Sequence, residues 1–198
     1  MNDNKLIRCS WLDIKKADYV KYHDNEWGIP THDDKVLFEN LILESAQAGL
    51  SWYTILKRRK GYRKAFYNFD IETVAQFDQT KIDALMLNSE IIRNRLKITS
   101  TVNNAKQFIV VQSEFGSFSN YLWQFVGNKT LVSNIDDSTA APTTSVISDI
   151  LSKDLKKRGF KFVGSTICYA YLQACGLING HSISCYRRKQ IIDQFKQQ

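Results

Sequence analysis

Four residues able to ligate a soft or borderline metal ion sit at the two ends of this sequence. Cys9 and His23 lie near one end, and His181 and Cys185, separated by three residues, lie near the other. Two thiolates and two imidazoles suit tetrahedral zinc, and His-x3-Cys is a spacing found in halves of such sites. The 157 residues between the halves make the signal weaker than a local Cys-x2-Cys pair. Hydrogen-bonded histidines and inert thiols fit the same residues. Four protein ligands would leave no open coordination position, so a metal here would be structural, clamping the ends of the chain, and not a source of hydroxide. Cys168 and Cys175, seven apart on one face of an expected helix, read as core.

The second feature is a carboxylate. Leu37, Leu41, Glu44 and Ala48 fall at i, i+4, i+7 and i+11, which puts Glu44 on an apolar helix face. A buried carboxylate without donors costs several kcal/mol, so Glu44 either finds structural partners or serves a site. One turn later the chain reverses at Gly49-Leu50-Ser51 and presents Trp52. A carboxylate beside an aromatic face has the chemistry that recognition of a purine edge requires. The run YHDNEWG (22 to 28) adds Tyr22 and Trp27, and CSW adds Trp11; single aromatic residues are more often core than base platforms.

The elements that must position these groups are helices. Nine glycines, two prolines and almost no alternating apolar and polar runs point to an all-α chain with short turns. A helix is expected after His32-Asp33-Asp34, ending at Gly49, and another begins at Ser51 as N-cap. Further helices are expected after Thr80, from about Ile92, over 117 to 126, 146 to 158 and 166 to 175, with a basic tail from Arg187. The stretch 133 to 145, rich in Ser, Thr and Ala, reads as a linker or mobile loop between two helical lobes of a single domain spanning 1 to 198.

The chain of 198 residues is 43% hydrophobic, which excludes a disordered tail, and carries a formal charge of +7. That charge is uneven. Residues 1 to 50 hold 6 bases and 9 acids, whereas 51 to 64 hold six bases (Lys57, Arg58, Arg59, Lys60, Arg63, Lys64) and no acid. Such clusters attract polyanions or form solvated helix faces. The start, MNDNKLIRCSW, has no apolar signal region, so a cytoplasmic protein of the bacterial cytosol or nucleoid is expected. The charge-free run from Phe162 to Tyr186 contains Ser165, Thr166, Gln173, Asn179 and His181 and is a buried helix plus loop, with no membrane span.

Taken together, Cys9-Ser10-Trp11, YHDNEWG (22 to 28), LESAQAGLSW (43 to 52), LKKRGFKFVGSTICYAYLQACGL (155 to 177) and His181-x3-Cys185 closely resemble the DNA-3-methyladenine glycosylase I family, in the family's order along nearly the whole chain. The resemblance implies a helix-hairpin-helix DNA glycosylase fold and a monofunctional hydrolase that removes 3-methyladenine from alkylated double-stranded DNA without strand cleavage; a monomer is expected. It implies that Cys9, His23, His181 and Cys185 hold a structural Zn2+, that Glu44 contacts the extruded base, and that Tyr22 and Trp52 stack on it or line its pocket. Trp11 and Trp27 would be wall or supporting positions. Gln47, Gly49 and Leu50 match the turn that enters the duplex where the base has left. The hairpin segment LNSEIIRNRLKI (87 to 98) departs from the usual pattern in having no glycine. Asn88 is expected to take the left-handed conformation in its place, and Arg93, Arg95 and Lys97 to face phosphate. A zinc-stapled DNA-binding module and a zinc hydrolase are the competing classes. The first has no need of a buried Glu beside aromatics, and the second needs an open metal position.

Overall fold

The computed structural model describes residues 6–137 and 141–195. The helices are α1 (Ala17–Asn25), α2 (Asp34–Gln47), α3 (Trp52–Ala65), α4 (Ile71–Ala75), α5 (Gln79–Leu87), α6 (Arg95–Phe115), α7 (Phe118–Trp123), α8 (Val146–Lys157), α9 (Ser165–Ala174) and α10 (Tyr186–Phe195). Two two-residue strands, β1 (Leu131–Val132) and β2 (Ile178–Asn179), pair in parallel with Leu131 opposite Ile178. That small bridge is the one exception to the all-helical reading among the described residues. None of the described helices is long and apolar enough to cross a membrane.

Local signals explain most helix starts. The Asp33 carboxylate accepts from the Lys35 and Val36 N–H groups, and Ser51 accepts from Thr54 N–H, so α2 and α3 begin where their caps predict. α6 starts at Arg95, later than expected, because Asn94 takes the N-cap and accepts from Lys97 N–H. Residues 88 to 94 are thereby released into the turn between α5 and α6. α2 runs through the core with Leu37, Phe38, Leu41, Ile42 and Leu43 essentially inaccessible, against α3, α9, α6 and α7. Asp34, at its start, accepts from Phe118 N–H, Ser119 N–H and the Gln112 amide, which fixes α2 to the head of α7.

Three local expectations need correction. Residues from Arg187 are not a basic tail: they continue α10, which buries Ile191. Asn88 is not left-handed (φ −79, ψ 111). Its side chain instead accepts from Glu90 N–H, so a side-chain turn does what a positive φ would have done. Of the linker-like stretch, 138 to 140 lie outside the described residues, but the part before them is tied down. Ser133 N–H donates to Asn179 O, Ile183 N–H to Ile135 O, and Asp137 accepts from Ser10 N–H and the Ser184 hydroxyl. The sequence reading also missed α1, which has no side-chain cap at Lys16, and the five-residue α4.

Candidate functional site

A cavity of about 200 Å3 opens between α1, α2, α3 and α9. Its walls include five expected residues, Trp11, Tyr22, Trp27, Glu44 and Trp52, together with Gln47. Each helix delivers its group for a local reason. Glu44 lies on the buried stripe of α2 and is 4% exposed. The tight turn after α2 and the Ser51 cap put Trp52 at the first position of α3, where it lines the same cavity as Glu44. Tyr22 comes from the last turn of α1, its ring 5.2 Å from that of Trp52. Trp11 and Trp27 meet edge to face at 4.9 Å.

The hydrogen-bonding capacity of this cavity is unspent. Among the described residues no donor reaches the Glu44 carboxylate, and burial pushes its pKa up from 4.5 to about 8. The buried Trp52 Nε1–H has no acceptor. Burial, and then the nearby Glu44, raise the hydroxyls of Tyr22 and Tyr19, the latter to about 12, so both phenols stay neutral. A carboxyl and an indole N–H left without partners inside aromatic walls are costly to the fold and useful to a ligand that supplies what they lack. The sequence reading missed Tyr19 and Gln173 in this wall. Tyr19 stands three residues before Tyr22 on the same face of α1, a signal that becomes visible only once α1 is known to be a helix.

Cys9, His23, His181 and Cys185 come together as a second constellation directly behind the first. All four are buried, and their ligand atoms lie within 4.8 Å of one another. Cys9 Sγ and Cys185 Sγ stand 3.5 and 3.4 Å from His181 Nδ1, and Cys185 Sγ stands 3.6 Å from His23 Nε2. A tetrahedral zinc with Zn–S bonds of about 2.3 Å and Zn–N bonds of about 2.0 Å places sulfur and nitrogen about 3.5 Å apart. The residues therefore fit such an ion in kind and in spacing. The outer nitrogens are also committed: His23 Nδ1 pairs with Asp24 Oδ1 at 2.8 Å, and His181 Nε2–H donates to Trp27 O at 3.1 Å. Outer partners of this sort fix ring orientation and tautomer in metal sites. The neighbouring Cys9 thiol, and then the two imidazoles, hold Cys185 far toward its thiolate against the opposing effect of burial. The two sites share a wall, since Trp27 packs edge on against His181 at 4.6 Å and Trp11 lies 5.3 Å from His23.

Gln47, Gly49 and Leu50 form the rim between α2 and α3. Ala48 (φ −45, ψ 117) and Gly49 (φ +77) occupy the central positions of a type II turn closed by Leu50 N–H to Gln47 O at 2.7 Å. Only glycine takes that φ without strain. Leu50 is 40% exposed at the tip. The expected phosphate contacts divide. Arg93 is exposed, Arg95 is exposed and paired with Asp83 at 2.7 Å, and Lys97 turns inward to bond Ala46 O and Ala48 O. The basic run of α3 divides likewise: Arg59 pairs with Glu26 and Glu39, Arg63 with Glu39, and Lys64 with Glu90.

Residues 11–188 match the methyladenine glycosylase family. The chain is 44% identical to the DNA-3-methyladenine glycosylase of Haemophilus influenzae, over 90% of its own length and 96% of the relative's. It is 44% identical to DNA-3-methyladenine glycosylase 1 of Escherichia coli, covering 91% and 96%. Among solved structures it is similar to a tyrosine-to-phenylalanine variant of 3-methyladenine DNA glycosylase I in complex with 3-methyladenine. That match has a TM-score of 0.88 and 39% identity, covering 91% of this chain and 97% of the other.

Proposed function

The chain belongs to the methyladenine glycosylase family and is a DNA glycosylase acting on 3-methyladenine, and we propose that it draws the damaged base out of double-stranded DNA into the Glu44 cavity and hydrolyses its glycosidic bond there. The observation that carries this reading is the buried carboxyl without a hydrogen-bond donor, walled by Tyr22 and Trp52. N3-methylation makes the nucleotide base cationic and weakens its bond to the sugar, so no group need protonate the leaving base. Selection then does much of the catalytic work. Aromatic faces attract a desolvated cationic ring by about 1 to 2 kcal/mol. Glu44 accepts hydrogen bonds from the base edge and, once ionised, stabilises its charge. Water attacks C1′. Among the described residues the cavity walls contain no lysine to form a Schiff base, so the expected product is an abasic site with the strand intact.

In this reading Gln47, Gly49 and Leu50 fill the space the base leaves, and the α5–α6 pair is the hairpin that meets the backbone. Cys9, His23, His181 and Cys185 would hold zinc as a structural clamp behind Trp11 and Trp27. Asp24 and the Trp27 carbonyl orient the two imidazoles. We place the protein in the bacterial cytosol, as a monomer. The test is release of free 3-methyladenine from alkylated duplex DNA, measured with zinc stoichiometry. Glu44→Gln should lower release by about 10² to 10³ with fold and zinc content intact. Unchanged release would remove Glu44 from the chemistry.

A further inference from the structure

We propose that Lys97 is a positioning residue for the turn that enters DNA: it locks the central peptide of Gln47–Leu50 in one of its two orientations. The inference rests on the reading of that turn as the wedge. Lys97 Nζ donates to Ala46 O at 2.8 Å and to Ala48 O at 2.7 Å. Lys97 lines a narrow crevice with Ile42, Tyr62 and Ile92, and its half-buried side chain bridges from α6 to the end of α2.

Two consequences follow from which carbonyls it holds. Ala46 O lies in the last turn of α2, where carbonyls lack intrahelical partners and the helix end carries about half a negative charge. That end is the one presented to a polyanion. An ammonium bonded to it satisfies one of these carbonyls and offsets part of that charge within the turn itself. Ala48 O belongs to the central peptide of the type II turn, the peptide whose rotation converts type II to type I. Lys97 pulls this carbonyl inward. Because the peptide is trans, the Gly49 N–H on the same peptide points the opposite way, toward the face that meets DNA. Released, the peptide could rotate, replacing an outward donor with an outward carbonyl and taking Gly49 out of its φ of +77. Lys97 begins only three residues after the Asn94 cap of α6, so the element that bears the hairpin also sets the wedge.

The test compares Lys97→Met with wild type in single-turnover excision from alkylated duplex, in affinity for free 3-methyladenine, and in the salt dependence of duplex binding. Excision should fall at least about tenfold, since small misplacements of positioning groups cost that much or more. Free-base affinity should stay within about twofold, because Lys97 does not line the cavity, and the salt slope should be unchanged. Unchanged excision overturns the inference. So does a salt slope smaller by about one with excision recovered at low salt, which is the signature of a phosphate contact. Gly49→Ala gives a second reading if Lys97→Met folds poorly: with Lys97 present it should reproduce the excision loss, and full activity would overturn the idea. Failure of the wild-type protein to release 3-methyladenine would overturn the functional reading itself, a result distinct from any difference among variants.

Discussion

Gly61 on α3 lies against the backbone of Glu90 in the α5–α6 turn so closely that a Cβ at position 61 would stand 2.6 Å from both the Glu90 Cβ and its carbonyl oxygen. Beside this contact the Tyr62 hydroxyl accepts from Ile92 N–H, and Lys64 pairs with the Glu90 carboxylate at 3.5 Å. Glu90 therefore faces α3, which accounts for an acidic residue in a hairpin expected to meet phosphate. In an exposed helix interior Gly→Ala stabilises by about 1 kcal/mol. Here the added methyl meets backbone that cannot swing aside, so Gly61→Ala should destabilise by about 1 to 3 kcal/mol. Urea unfolding gives the sign, and weakened duplex binding should accompany it.

Glu44 makes a second prediction, about stability and pH. Its carboxyl has a folded pKa raised from 4.5 to about 8 by burial. Below pH 4.5 folded and unfolded chains both hold this proton. Between 4.5 and 8 the folded chain holds it and the unfolded chain does not, so this group's contribution falls as pH rises, by about 1.4 kcal/mol per unit. Glu44→Gln lacks this dependence. The variant should be about as stable as wild type near pH 4.5 and more stable by a few kcal/mol near pH 8, read from denaturant midpoints at the two pH values. Equal pH profiles would show that the carboxyl is not desolvated.

Much of this site was legible because its signals are local. The Asp33 and Ser51 caps and Gly49 placed α2, its turn and α3, and the apolar spacing of Leu37, Leu41 and Ala48 put Glu44 inside. Part of what could not be read was set by contacts distant in sequence. Lys97 looked like a phosphate ligand because its partners, the Ala46 and Ala48 carbonyls, lie some fifty residues away. Asn88 solved a turn by an internal hydrogen bond, which composition does not distinguish from a positive φ. α1 lacks a cap, so Tyr19 stayed hidden although Tyr22 was found. The pairing of Cys9 and His23 with His181 and Cys185 was open by spacing and named by the family resemblance, and the 3.4 to 3.6 Å sulfur–nitrogen distances bring the four together.

Removal of the proposed metal should affect the base cavity as well as stability, because Trp27 and Trp11 pack against His181 and His23. Chelation is expected to lower Tm and, below the new Tm, to weaken binding of free 3-methyladenine. Asp24→Asn tests the outer shell separately. Its carboxylate holds His23 Nδ1 and also pairs with Arg8 at 2.8 Å, and loss of such a partner typically costs about 10- to 100-fold in metal affinity. Competition against a zinc-binding dye measures this directly. Metal affinity equal to wild type would mean that packing alone orients the ring.

Excision should depend on pH through Glu44. In the free protein Glu44 is mostly protonated at neutral pH, yet its proposed partner is a cationic base, which favours the carboxylate. If the carboxylate is the active form, kcat/KM, which reports the free enzyme, should rise by about tenfold per pH unit and level off near pH 8. The bound cation opposes the effect of burial, so the corresponding break in kcat must lie at lower pH. The displacement between the two breaks measures how strongly Glu44 and the cationic base couple. Glu44→Gln should abolish both breaks along with most of the rate. A kcat/KM profile that is flat from pH 6 to 9 would show that Glu44 works in its neutral form, donating and accepting hydrogen bonds without contributing charge.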